Sequence, residues 1–329
     1  GAVPVISRLD LAAAGLTARG KAGFRTDGGL DRITFATAEL AGVYKGAVDL
    51  VGQGRGRPVR IEVKGGTGDL RRAKFSGEGS GGTALPIDVR LDRLSLTDGI
   101  ALTGLSGEFS TGGGFNGQFR ARVNDAVQVT GTVVPMPEGA GVRLRSDNAG
   151  AVLRAAGILK GGAGGTLEMT LQPTDAAQTY DGNVEMKGLR VTDAPILAEL
   201  LGVISVVGLL EQLNGQGILF SDVQAAFRLN PERVTVREAS AVGASMGVSA
   251  AGEYLPSNRQ MSFTGTISPI YLLNGIGQVF SKRREGLFGF NYRMTGTPDD
   301  VRISVNPLSI LTPGMFRELF RAPPPKVSP

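Results

Sequence analysis

The chain has 329 residues, with 50 glycines, 6% aromatic residues and a formal charge of +5, enough length for one large or two ordinary domains. It contains no cysteine, histidine or tryptophan. That removes disulfide frameworks, thiolate and imidazole metal sites, and every Ser–His or Cys–His nucleophile, while leaving the redox compartment open. Abundant glycine without a collagen period predicts many tight turns and therefore many short strands.

The opening Gly1–Asp10 stretch has neither an initiator methionine nor a signal-peptide pattern, the expectation for a processed or excised chain. From Leu9 to about Val134 the sequence reads as strand after strand. Turn signals stand at Asp27-Gly28-Gly29, Gly65-Gly66, Gly81-Gly82, Asp98-Gly99, Gly112-Gly113-Gly114 and Asn124-Asp125. Between them apolar and polar residues alternate, as in Ile61 and Val63, in Ile87, Val89 and Leu91, and in Val127 and Val129. The phase slips near Arg93-Leu94-Ser95-Leu96, as at a β-bulge. Short turns between such runs predict an antiparallel meander. Residues 1–138 therefore read as a β-meander segment.

Val142–Arg145 continues the pattern, and residues 148–160 carry Ala151, Leu153, Ala156 and Leu159 at helical spacing. Two strands follow, separated at Asp181-Gly182. The longest apolar run is Asp193–Leu213, with a predicted cap at Asp193, Pro195 in the first turn and a left-handed stop at Asn214-Gly215. Ile196, Leu200, Val203, Val207 and Leu210 form one predicted stripe, which Leu197, Leu201, Ile204 and Leu209 widen. Such a helix must be covered, either as a core helix or by lying along an apolar groove or membrane surface. Glu199 and Glu211 leave fewer than the ~20 apolar residues of a membrane span. Gly202 and Gly208 weaken the helix and predict a break.

Strands resume at Ile218–Leu229, continue with Val234 and Val236, Met246–Tyr254 and Met261–Ile267, and close with Leu287–Thr295 and Val301, Ile303 and Val305. Between them a second amphipathic helix is predicted over about 269–284, ending in Lys282, Arg283 and Arg284. A short helical piece is predicted at Met315–Phe320, and residues 322–329 read as a disordered Pro-rich tail.

More than a dozen one-faced strands and two to three short helices do not balance, because a flat sheet would expose far more apolar area than soluble monomers tolerate. The expected fold is therefore mainly β: an elongated, curved antiparallel sheet forming an open apolar groove, with the helices near the C-terminal end. The small aromatic content predicts a smooth aliphatic lining. Candidate lining residues are Ile87, Val89, Leu91, Val127, Val129, Ile196, Leu200, Leu201, Ile204, Val207, Val234, Val236, Val301, Ile303 and Val305.

The text at Ile196–Gly202, Leu213–Ile218, Gly243–Gly247 and Gly286-Leu287-Phe288 follows a known pattern. With the closing Val305–Ser309 and Pro313–Phe320, it resembles the C-terminal region of the AsmA-like proteins, in their YhdP-type branch. The resemblance spans Asp193–Phe320 well and Asn148–Arg190 moderately, so that residues 139–321 would form that region. It implies a repeating β-groove of the Gram-negative periplasm, anchored in the inner membrane by an N-terminal helix absent from this chain. It also implies a bridge-like role in phospholipid transport towards the outer membrane and in outer-membrane integrity. The basic Ser281–Arg284 departs from the small or apolar residues expected there.

No cofactor is implied, and an enzyme is not expected. Gly52–Gly56 lacks the strand–helix frame of a dinucleotide site, and Asp299-Asp300 sits in an ordinary turn. Ser281 and Lys282 are poorly placed for a dyad. Arg55, Arg57, Arg60, Lys64, Arg71, Arg72 and Lys74 read as a solvated outer face. Lys282–Arg284 suits either an anionic membrane surface or a helix dipole. The expected partners are phospholipids, an inner or outer membrane surface and envelope proteins, and nucleic acid is not expected. The competing expectation is a structural or assembly scaffold whose trough is filled by its own helices.

Overall fold

The computed structural model describes residues 3–13, 15–71, 83–269 and 289–306. The strands are β1 (Val5–Ala13), β2 (Leu16–Phe24), β3 (Leu30–Leu40), β4 (Tyr44–Val51), β5 (Arg60–Asp69), β6 (Pro86–Ser95), β7 (Ala101–Ser110), β8 (Asn116–Val123), β9 (Val127–Met136) and β10 (Gly139–Ser146). Helix α1 (Ala149–Ala155) precedes β11 (Gly161–Ala163), β12 (Thr166–Pro173) and β13 (Tyr180–Thr192). Then come α2 (Pro195–Val203), α3 (Val207–Asn214), β14 (Ile218–Leu229), β15 (Val234–Gly243), β16 (Met246–Leu255), β17 (Gln260–Pro269), β18 (Phe290–Thr297) and β19 (Asp300–Asn306). Among the described residues the fold is mainly β and unclosed, with three short helices.

Two compact units divide the chain. The first holds residues 1–159 and 167–182, and the second holds 160–166 and 183–329. In the first unit each strand from β1 to β10 pairs with the next, and β12 adds to β10. In the second, β14 to β19 pair in order and β11 pairs with β13.

One pair breaks the expected meander: β5 and β6 are parallel. The reason lies in their connection, residues 70–85, which is long enough for a crossover that a hairpin turn could not make.

Gly65-Gly66 is no turn either. Both residues lie inside β5 at φ 74° and 94°, and the β4–β5 register shifts opposite them. Where a bulge is expected in β6 the ladder to β7 passes over Asp92 and Gly104, the latter at φ +56°, but its register is the same on either side, and the shift falls between β7 and β8. Further shifts occur in β2–β3 and β3–β4. A line of bulges thus crosses the sheet, and bulges raise local twist and bend. Asp181-Gly182 likewise lies within β13, and the preceding turn falls at Thr174–Thr179. Asn124-Asp125 is the expected hairpin turn, with φ 47° and 61° and a bond from the Ala126 amide to the Val123 carbonyl.

The helices depart most from expectation. Helix α1 ends at Ala155, shorter than the 148–160 expected, with Asn148 Oδ1 accepting from the Ala151 amide at 2.9 Å. The 193–213 helix is two helices broken at Ser205, φ +57°. Asp193 does not cap: it stands at φ +43°, and Ala194 occupies the cap without a side-chain bond. Gly215 does follow the last turn, but at φ −101°, and the left-handed residue is Gly217 at φ +82°. The helix expected at 269–284, apart from Pro269 at the end of β17, lies outside the described residues, as do the short piece at 315–320 and the tail.

Candidate functional site

Residues that face each other across a ladder point to the same side of the sheet, so the register converts one strand's alternation into rows. In the first unit one row runs Ile33, Leu50, Ile61, Ile87, Phe109, Gly117, Val133, Val142 and Leu171. The neighbouring row runs Phe35, Val48, Val63, Val89, Gly107, Phe119, Gly131, Leu144 and Met169. Every residue in both is apolar or glycine. The intervening row on the other face, Thr34, Asp49, Glu62, Asp88, Glu108, Gln118, Thr132, Arg143 and Thr170, is polar throughout.

The second unit repeats this design. One row is Leu229, Val234, Tyr254, Met261, Gly296 and Val301, and the next is Phe227, Val236, Gly252, Phe263, Met294 and Ile303. A third carries Ala250, Gly265, Tyr292 and Val305. The sequence candidates Val234, Val236, Val301, Ile303 and Val305 therefore share one face, as do Ile87, Val89 and Leu91 in the first unit. All eight are only half-buried. Six strands at about 4.8 Å give a row of roughly 24 Å, longer than the ~15 Å depth of one bilayer leaflet's acyl layer.

The lining is not the smooth aliphatic wall that composition suggests. Four of the seven aromatic side chains in these rows lie against glycines: Phe109 beside Gly117, Phe119 over Gly131, Phe263 beside Gly252 and Tyr292 beside Gly265. A Cβ on any of these glycines would collide with its neighbour's backbone or ring. Phe109 stacks with Phe115 at 5.1 Å and with Phe119 at 6.5 Å between centroids. Rings seated against glycines add apolar area beside positions that have no side chain of their own. Burial pushes the Tyr292 phenol up to about 12, and its hydroxyl donates to the Ser249 carbonyl at 2.8 Å.

The other candidates are placed differently. Val129 is 1% exposed opposite Ala121, on the strand that α1 packs against, so it is core, whereas Val127 is half-buried. In the second unit α2 packs on β19 and α3 on β14, the two ends of a six-strand ladder, so the helix pair spans between them. Leu200, Leu201, Leu209 and Leu213 are buried, Ile196 and Ile204 half-buried, and Val203 and Val207 exposed. The expected stripe fails at Val203, the last residue of α2, and at Val207, where the kink at Ser205 re-phases the second helix and turns Val206 and Leu209 inward. No helix of the described residues is long and apolar enough to cross a membrane. Lys282, Arg283 and Arg284 lie outside the described residues.

The polar face is organised by ion pairs. Asp49, with its side chain 5% exposed, accepts from Lys64 Nζ at 2.6 Å and from Arg32, and Glu62 bridges the same two cations. Arg60 pairs with Asp88 and Arg71 with Asp69, so much of the expected basic face is neutralised; Arg72 and Lys74 fall outside the described residues. Burial alone would raise the Asp49 carboxyl, but the bonds from Lys64 and Arg32 outweigh it and hold the group below its usual range. A depressed folded value stabilises above the unfolded pKa of about 3.9, and that contribution disappears as pH falls through the folded value. Urea unfolding of the native chain should therefore weaken below about pH 4 more steeply than that of Asp49→Asn. At neutral pH the variant should lose about 1–3 kcal/mol. Parallel acid profiles would remove Asp49 from the stability argument.

Comparison with family models, with curated proteins and with solved structures gives no match to this chain.

Proposed function

We propose that the chain binds the acyl chains of phospholipids along its open apolar sheet faces and passes them on as a periplasmic part of a bridge-like, YhdP-type AsmA-like lipid transfer protein. The observation that carries this reading is the unbroken apolar row, mostly half-buried, across nine strands in one unit and six in the other. A contiguous apolar face of that extent is what lipid contact requires and what a soluble monomer otherwise avoids. Each buried methylene contributes roughly 0.8 kcal/mol, so chain length matters more than headgroup. The polar opposite face, with its carboxylate–cation network, keeps the other side of the sheet in water.

Native mass spectrometry of the purified chain, followed by lipid extraction, tests the proposal. Co-purified phospholipid, and capture of lipid by a photo-crosslinker at Val236, are the expected results. A lipid-free protein that takes up no added phospholipid would favour a scaffold instead.

A further inference from the structure

On the polar face of the first unit, the rows beside the bulge at Gly104 carry a second pattern. Arg90, Ser106 and Arg120 are paired in register across β6, β7 and β8, and so are Arg93, Thr103 and Arg122. Four arginines thus surround one stretch of β7, about 10 Å apart across it and about 7 Å apart along β8. All four are exposed, and among the described residues none is ion-paired with a carboxylate. This contrasts with Arg32, Arg60 and Arg145 on the same face, which are paired. The nearby acids are engaged elsewhere or one step removed. Asp88 holds Arg60, Asp92 accepts the Gly66 amide at 2.8 Å, and Glu108 lies opposite Asp88 in the next row.

Like charges gathered on a sheet face are destabilising, so this arrangement carries a cost that a bound anion would offset. The local chemistry suits one. Gly104 is exposed, has no side chain, and is skipped by the registers to both β6 and β8. It lines a hollow with Arg120, Arg122 and Gln128. Arg120 is already oriented, donating through Nε to Ser106 Oγ at 3.0 Å, which leaves the outer edge of its fork free for an oxyanion.

We propose that Arg90, Arg93, Arg120 and Arg122 form a phosphate-type oxyanion site at the Gly104 bulge. The site faces away from the apolar rows and does not depend on the lipid reading. Either a free phosphate or a phospholipid headgroup supplies the same chemistry.

The test is an NMR titration of the full chain with inorganic phosphate, following the Gly104 amide and the arginine Nε–H signals. Saturable shifts confined to this patch are expected. Arg120→Gln with Arg122→Gln should weaken binding by about tenfold or more, and Arg90→Gln with Arg93→Gln should do likewise. Arg293→Gln with Arg302→Gln, which removes the same charge from the second unit, should leave it unchanged. Linear, non-saturating shifts, or equal losses in all three variants, would overturn the proposal. Co-sedimentation with vesicles of equimolar phosphatidylcholine and phosphatidylglycerol then identifies the source. Patch-dependent sedimentation supports a headgroup, and phosphate binding without it supports a free anion.

Discussion

Val236→Asp and Ile303→Asp are each expected to abolish phospholipid occupancy of the second unit while leaving a soluble, folded chain. The two positions belong to one row, separated by Gly252, Phe263 and Met294 on the strands between. Both are half-buried, so each still reaches water. A carboxylate there keeps its water in the empty protein, so stability changes little. A bound acyl chain, however, would strip that water, and desolvating an unpaired charge costs several kcal/mol. That exceeds the roughly 0.8 kcal/mol contributed by each of the few methylenes in contact with one position. Thr295→Asp, on the opposite face in the neighbouring row, is the control and should leave occupancy intact. The readout is bound phospholipid per chain by native mass spectrometry, with circular dichroism to verify folding. Equal lipid content in all three variants would sink the groove as the binding surface.

The second large effect concerns the α2–α3 hairpin. Its helices have 9 and 8 residues, below the ~12–15 at which an isolated helix is even marginal in water, so tertiary contact must hold them. That contact is apolar, centred on Leu201, Leu209 and Leu213, all 0% exposed. Leu201→Ala should therefore cost about 2–5 kcal/mol of docking and raise amide exchange in α2 and α3 roughly 30- to 4,000-fold. Unit-one strands should exchange as before. The same apolar character makes the hairpin a competitor for acyl chains, since both want the face between β14 and β19. Added phospholipid is expected to speed labelling of the single thiol in Leu209→Cys, a clean probe in a chain without native cysteine. Labelling indifferent to lipid, in a protein that binds lipid, would make the hairpin a fixed end-plug and leave the groove reading standing.

What the sequence determined by itself is the one-faced character of the sheet. Alternation at Ile87, Val89 and Leu91, and at Val301, Ile303 and Val305, has a period of two that no backbone arrangement other than a pleated strand satisfies, and too few helical residues remain to cover such faces. Turns at Asn124-Asp125 and Asp98-Gly99 were equally legible, because local chemistry dictates them. The tertiary structure decided the rest. Gly65-Gly66 writes a turn and a bulge with the same letters, and only the register against β4 tells them apart. Leu200 and Val207 share an apolar stripe on paper, but the positive φ at Ser205 rotates the second helix, burying Leu209 and exposing Val207. Arg90 and Arg120 lie thirty residues apart in sequence and become neighbours of Ser106 only through β-pairing. Local sequence encodes which way a side chain faces along its own strand, whereas which strands lie side by side is set by long-range pairing.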